Sequence, residues 1–221
     1  MHIERIAKDR EPVTGIILAG GKSRRMGQNK ALLRLGDKTL IEHVICPLRE
    51  VTDELLLITN SPQKYAHLNL PMHGDILPNA GALGGLHAGL TYASHELGLC
   101  VACDSPFLQP ALLTYLISAM GTEDDAVVPY TETEDASDKK CQTKFQTLCA
   151  VYSKRCVSVI EQMVSASELR VHQLYRHIRC REVPPAIWKT FDAEGVSFFN
   201  VNTRADFVLA QGEAQETLSL R

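Results

Sequence analysis

The apolar run VTGIILA at residues 13–19 breaks directly into Gly20-Gly21 and then into the basic stretch Lys22-Ser-Arg-Arg25. A run so short and so uniformly apolar reads as a strand buried on both faces, and the glycines after it force a loop at its carboxyl end. Strand and helix signals then alternate. Thr39-Leu-Ile-Glu42 is a capping box, and Leu40, Ile41, Val44, Ile45 and Leu48 fall on one helical face. Pro47 is expected to kink or shorten that helix. Further strands are expected at Leu55–Thr59, Met72–Asp75, Leu99–Cys103, Ala126–Pro129, Phe145–Tyr152 and Ile178–Val183. Helices are expected over Leu83–Leu97 with Gly98 as the stop, from Pro110 to Gly121, after Ser153, and from a second capping box at Thr203-Arg-Ala-Asp206. Short connections between alternating elements predict an α/β fold, a doubly wound and mostly parallel sheet with helices on both faces.

The chain has 221 residues, enough for one domain with a sizeable core. Residues 1–12 read as an N-terminal extension, 13–212 as a single domain and 213–221 as a polar tail. The stretch TETEDASDKKCQTK at 131–144 is nearly devoid of apolar residues and is expected to be a flexible, solvated loop. No apolar run reaches the roughly 18 residues of a membrane span. The N-terminus MHIERIAKDREP lacks the apolar centre of a signal peptide, so a cytoplasmic protein is expected, off the membrane. Seven cysteines, an odd number, read as free thiols. Cys100-x-x-Cys103 has metal or redox spacing, but it lies within the strand-like GLCVACD and reads as core.

Net charge is −3, from 23 basic and 26 acidic residues, yet charge is segregated. Residues 22–38 carry six basic side chains (Lys22, Arg24, Arg25, Lys30, Arg34, Lys38) against Asp37. A local basic cluster on a near-neutral chain fits a small anion better than nucleic acid, whose binders carry a basic face across the domain. Glycines at 20, 21 and 27 let backbone amides turn towards a ligand, with Arg25 and Lys30 adding charge. The combination suits a polyphosphate. Two familiar phosphate patterns fail: a Walker A loop ending at Gly21-Lys22-Ser23 needs glycine where Ile16 stands, and adjacent Gly20 and Gly21 do not fit G-x-G-x-x-G. Asp104 follows the strand-like LCVAC and so faces the crevice at a strand's carboxyl end, where a carboxylate beside a triphosphate can hold Mg²⁺.

LAGGKSRRMGQNK, residues 18–30, resembles the signature L-A-G-G-x-S-x-R-M-G-x-x-K of the molybdenum cofactor guanylyltransferases, within the wider nucleotidyltransferase superfamily. The likeness continues through Gly36-Asp-Lys-Thr-Leu-Ile-Glu-His43, Asp75, Gly81-Ala-Leu-Gly-Gly85, Cys103-Asp104-Ser-Pro-Phe107 and Phe199-Asn-Val-Asn-Thr203, covering most of residues 13–208. It implies a Rossmann-like nucleotidyltransferase fold and an enzyme that moves GMP from GTP to the phosphate of molybdenum-bound molybdopterin, with pyrophosphate leaving. It implies Leu18, Ala19, Gly20, Gly21, Lys30, Asp75, Gly84, Asp104, Asn200 and Asn202 at the nucleotide or acceptor, Arg25, Lys30 and Asp104 in the chemistry, and Mg²⁺ on Asp104. Cofactor-synthesis proteins and the molybdoenzymes that receive the product are the implied protein partners.

Departures from the pattern are local. Ala82 and Arg204 stand where the family usually has proline, and Gln146-Thr147 where Gln-Pro or His-Pro is common; the last two point to the acceptor side. Asp75 also reads as a turn residue bonding its own backbone, Asn200 and Asn202 as caps of the last helix, and Trp188 as packing or as the rim of a flat acceptor site. His43 and His87 read as packing or surface. A CTP-using relative, another phosphorylated acceptor, and a non-catalytic nucleotide-binding module of cofactor delivery remain open alternatives.

Overall fold

The computed structural model describes residues 10–20, 29–134 and 141–219. Its sheet runs in the spatial order β10-β7-β9-β6-β1-β4-β5, with β8 added on β7. The strands are β1 (Val13–Leu18), β4 (Glu54–Ile58), β5 (Met72–His73), β6 (Leu97–Ala102), β7 (Ala126–Glu134), β8 (Cys141–Phe145), β9 (Cys149–Ser153) and β10 (Cys180–Val183). A separate two-stranded ribbon, β2 (Arg34–Leu35) and β3 (Lys38–Thr39), leads into the first helix. β1 pairs in parallel with β4 and β6, and β4 with β5. β9 is antiparallel to both β6 and β7, because the chain reaches it through the β7–β8 hairpin instead of a helical crossover. The expectation of a doubly wound, mostly parallel sheet holds.

Alternation along the strands fills both faces. Val13, Ile17, Leu57, Leu99, Val101 and Val151 point to one side, against α1 (Leu40–Val51) and α3 (Pro110–Ser118). Ile16, Leu18, Leu56, Ile58, Cys100 and Tyr152 point to the other, against α2 (Gly81–Tyr92) and α4 (Cys156–Ser165). Each large aliphatic side chain so buried contributes about 1.5–3 kcal/mol. α2 lies very close to the sheet: a Cβ on Gly89 would fall 2.4 Å from Ile16 Cγ2, so only glycine permits this approach. The packing sets the amino end of α2, with Gly85 beside Leu18, at the carboxyl end of β1.

Several boundaries differ from expectation. α1 runs through Pro47 to Val51, since five of its side chains (Ile41, Val44, Ile45, Leu48 and Val51) are locked in one core cluster, and Pro47 does not shorten it. α2 ends at Tyr92, short of Leu97. Glu54 captures the chain just beyond, accepting from Ser94 N (2.9 Å) and Ser94 Oγ (2.8 Å), and Leu97 and Gly98 then open β6. The expected strand Phe145–Tyr152 is two strands separated by a turn in which Cys149 N bonds Gln146 O. The segment 131–144 is not simply a loop. β7 and β8 extend into it as a polar hairpin, Thr131 opposite Lys144, because an arm reaching past the core needs ladder bonds and not apolar side chains. The polar tail is likewise helical as far as Ser219, the last described residue: it belongs to α5 (Arg204–Ser219), started by Thr203 and Asp206 and anchored by buried Phe207 and Ala210.

Candidate active site

The carboxyl ends of β1, β4 and β6 form one rim. Gly21 and Arg25 lie outside the described residues. Leu18 is buried as the last residue of β1, Ala19 donates its N–H to Ile58 O (2.9 Å), and Gly20 is exposed, with no atom of the described residues within 4 Å of a Cβ position. The loop exit is tied down. Asn29 pairs with the buried Tyr65, its Nδ2 donating to the hydroxyl (2.9 Å) and its Oδ1 accepting from it (3.2 Å). Burial pushes the Tyr65 hydroxyl up, so it stays protonated and can donate.

Lys30 therefore starts from a fixed base. Its Nζ donates to Asp104 Oδ2 (3.2 Å) and to Asn202 Oδ1 (3.0 Å). The Lys30 and Asp104 side chains are 20% and 17% exposed, sheltered enough to hold position and open enough to meet a ligand. Among the described residues Asp104 accepts from Lys30 alone, so most of its oxygen lone pairs are left for another cation. Segments some 70 and 170 positions apart in the chain (Lys30 to Asp104, Lys30 to Asn202) thus converge on one ammonium group. Next to Asp104, Cys103 N bonds Leu18 O and pins the ends of β6 and β1 together. The Cys103 thiol is pushed up to about 12 by burial and by Asp104, with Lys30 opposing, so it stays protonated at neutral pH. Cys100 and Cys103 face opposite sides of the sheet, so the C-x-x-C spacing forms no pair.

Asp75 sits in a second polar cluster on the same rim. Asn60 Nδ2 donates to Asp75 Oδ2 (2.8 Å), and Asp75 N donates to Asn60 Oδ1 (2.9 Å). Asp75 is thus held by a side chain from the end of β4 and is half-buried. Gly84, buried in the first turns of α2, packs on Leu77 O and Ala80 Cβ. Among the described residues neither Asp75 nor Gly84 bonds directly to the Lys30 cluster.

On the other side of Asp104 a cavity of about 270 Å³ opens between the β8–β9 turn and the segment before α5. Asp104, Ser105, Gln146, Thr147 and Asn200 line it, with the exposed Lys144 at its edge. Gln146 is built into the wall, its N–H donating to Pro129 O (2.8 Å) and its Nε2 to Thr131 Oγ1 (2.9 Å). Asn200 turns inward, its Oδ1 accepting from Ser105 Oγ (2.7 Å) and its Nδ2 donating to Phe198 O (3.2 Å). Trp188 is 4% exposed, donates Nε1–H to Tyr130 O (2.8 Å) and meets Phe198 edge-on, which settles it as packing. His43 bonds Leu35 O, and His87 is buried against Glu161, both away from the rim. Sequence reasoning missed the Asn29–Tyr65 tie, Ser105 and Lys144. It left Asn60 unassigned, although its position just past an apolar strand was the available signal.

The chain matches the family model for the MobA-like NTP transferase domain over residues 15–182. It is 36% identical over 202 residues to the molybdenum cofactor guanylyltransferase of Desulfosudis oleivorans, covering 91% of this chain and 95% of that protein. It is 36% identical over 204 residues to a probable molybdenum cofactor guanylyltransferase of Pelotomaculum thermopropionicum, covering 92% and 94%. The fold matches the crystal structure of molybdopterin-guanine dinucleotide biosynthesis protein A from Archaeoglobus fulgidus with a TM-score of 0.73 at 23% identity, over 92% of this chain and 99% of that one. Phosphate-suited chemistry on a sheet of this topology, matched along nearly its whole length, places the chain in the MobA-like NTP transferase family, as a nucleotidyltransferase.

Proposed function

We propose that this nucleotidyltransferase moves GMP from GTP to the phosphate of molybdenum-bound molybdopterin, forming the molybdopterin guanine dinucleotide. An acceptor phosphate oxygen attacks the α-phosphorus of GTP, the bond to the β-phosphate oxygen breaks, and pyrophosphate leaves. The choice of guanine and of acceptor rests on the names of the relatives at 36% identity. The observation that carries the chemistry is the convergence of Asp104 and Asn202 on Lys30.

Such a transfer needs alignment and neutralisation of phosphate charge more than acid-base help. In this reading Lys30 neutralises phosphate oxygens on the triphosphate, and Asn202 holds the ammonium in place. The sequence pattern assigns Arg25 and the amides of Gly20 and Gly21 to the same phosphate-binding task, Leu18 and Ala19 lead the chain towards it, and Asp75 and Gly84 border the nucleoside side. The cavity beside Gln146 and Thr147 faces Asp104 from the far side, where the acceptor phosphate has to approach. A hard divalent cation such as Mg²⁺ suits the donor set, since Asp104 offers a carboxylate with free lone pairs and the phosphates supply further oxygens. Asp104 would hold it; when bound, such an ion neutralises charge on the phosphate oxygens.

Incubation of the protein with each nucleoside triphosphate, Mg²⁺ and molybdenum-loaded molybdopterin tests this directly. Pyrophosphate release with GTP and the acceptor together is the expected outcome. Release with CTP alone, or equal release without acceptor, contradicts it.

A further inference from the structure

Asn200 stands two positions before Asn202, which binds Lys30, yet both ends of its amide are engaged inside the protein. Its Oδ1 accepts from Ser105 Oγ at 2.7 Å and its Nδ2 donates to Phe198 O at 3.2 Å. Ser105 is 2% exposed, so its hydroxyl has no access to water as an alternative partner. A backbone bond runs alongside, from Val201 N to Asp104 O at 2.9 Å. Two adjacent bonds therefore join residues 104–105 to residues 200–201. Asp104 and Asn202 extend from this joint, one from each strip, and both end on Lys30 Nζ.

The strip carrying Asn200 is clamped from both directions. Before it, the buried Asp192 accepts from Val196 N (3.0 Å) and Ser197 N (2.8 Å), and Ser197 Oγ accepts from Gln109 N (2.9 Å). After it, Asp206 Oδ2 accepts from Asn202 N (2.8 Å) and Thr203 N (2.7 Å). Between these anchors, among the described residues, the Ser105–Asn200 bond is the one side-chain hydrogen bond that joins the strip to the segment of Asp104.

We propose that Ser105 and Asn200 form a positioning pair that fixes the spacing of Asp104 and Asn202 around Lys30, and that Asn200 acts through this pair and not by touching nucleotide or acceptor. The inference rests on the phosphate-binding role proposed above for Lys30 and Asp104. Loss of the pair lets the two strips slide, and an error of about 1 Å in such a constellation costs up to roughly 10²-fold in rate.

A double-mutant cycle separates a staple from a ligand contact. Ser105→Ala, Asn200→Ala and the double variant are compared for kcat, for KM of GTP and acceptor, and for melting temperature. We expect each single variant to lose about 10-fold in kcat with both KM values within about two-fold, and the double variant to be no slower than the slower single, the signature of two residues acting as a unit. Asn200→Asp, which keeps the acceptor for the Ser105 hydroxyl, recovers most of kcat. The pairing is overturned if Asn200→Ala raises one substrate's KM while Ser105→Ala does not, if the two losses multiply, or if neither variant alters kcat. Should Ser105→Ala not fold, the Asn200→Ala and Asn200→Asp comparison decides alone. A parent protein that releases no pyrophosphate with any triphosphate refutes the proposed function. Amide exchange at Val201 then judges the staple, faster in both single variants if it holds and unchanged if it does not.

Discussion

Carboxylates stand at both ends of the central strands, and the two sets are treated in opposite ways. At the amino end, Asp53 and Asp125 each precede a strand, Glu54 opens one, and all three are engaged by at least two partners within the protein. Asp53 accepts from Val13 N (2.8 Å) and from Arg10 Nη1 (3.0 Å), and Glu54 from Thr14 Oγ1 (2.6 Å) and from Ser94. Asp125 accepts from Arg179 N (3.0 Å) and Arg155 Nε (2.7 Å). At the carboxyl end Asp104 has a single partner among the described residues, and that partner is a cation able to turn towards a phosphate. A saturated carboxylate holds chain segments together, whereas an under-used one is available to a ligand. The comparison marks one end of the sheet as scaffold and the other as machinery.

The largest expected effect follows from that contrast. Asp104→Ala and Lys30→Ala should each lower nucleotidyl transfer by about 10²–10³-fold, the usual cost of one lost electrostatic contact at a reacting phosphate. Neither should lower the melting temperature greatly, since an ion pair that still meets solvent, here with side chains 20% and 17% exposed, contributes about 1 kcal/mol or less. Steady-state pyrophosphate assays beside thermal unfolding check this. A variant that unfolds early but works normally once folded would move Asp104 into the scaffold set.

Much of this division was legible in the residues. The apolar run before Gly20 located the rim, and the aspartate at the end of LCVAC located the machinery end, because a polar group closing an apolar strand has few other places to be. The saturated carboxylates were not legible. Glu54 reads as an ordinary charge at a strand's start, and its partners Thr14 and Ser94 lie 40 positions away on either side. For the same reason α2 was expected to reach Leu97, whereas the bonds from Ser94 to Glu54 hold the chain beyond Tyr92 out of the helix. Ser105 and Asn200 stayed hidden as a pair because they meet only through the fold. The polar hairpin β7–β8 escaped notice because ladder bonds between backbones leave no mark on side-chain polarity.

Glu54 offers the reverse of the Asp104 experiment, with a smaller effect. Glu54→Ala leaves the fully buried Thr14 hydroxyl and the Ser94 amide without their acceptor, at a cost of about 1–3 kcal/mol. Urea denaturation should show that loss, while kcat per folded molecule stays at the parent value. A fall in kcat matching that of Asp104→Ala would break the separation between the two ends.

The subtlest test is the pH dependence of stability. Burial raises the affinity of Glu54 for a proton, but the hydrogen bonds from Thr14 and Ser94 outweigh it and hold the carboxyl below its ordinary 4.5. A carboxyl with a depressed folded value contributes stability that is fully present above the unfolded value and is lost as pH falls through the folded one. Asp125 at the amino end, and the helix-capping Glu42 and Asp206, are depressed as well, so the parent protein should weaken below the same region for several reasons at once. The difference between the parent and Glu54→Ala isolates one carboxylate. Measured by urea unfolding, it should stay constant from neutral pH down to about 4.5 and shrink below that, as both proteins come to lack the charged group. A difference that holds constant on into acid would mean that Glu54 is bonded equally well when protonated, and that its negative charge contributes nothing to holding β1 against the turn before β6.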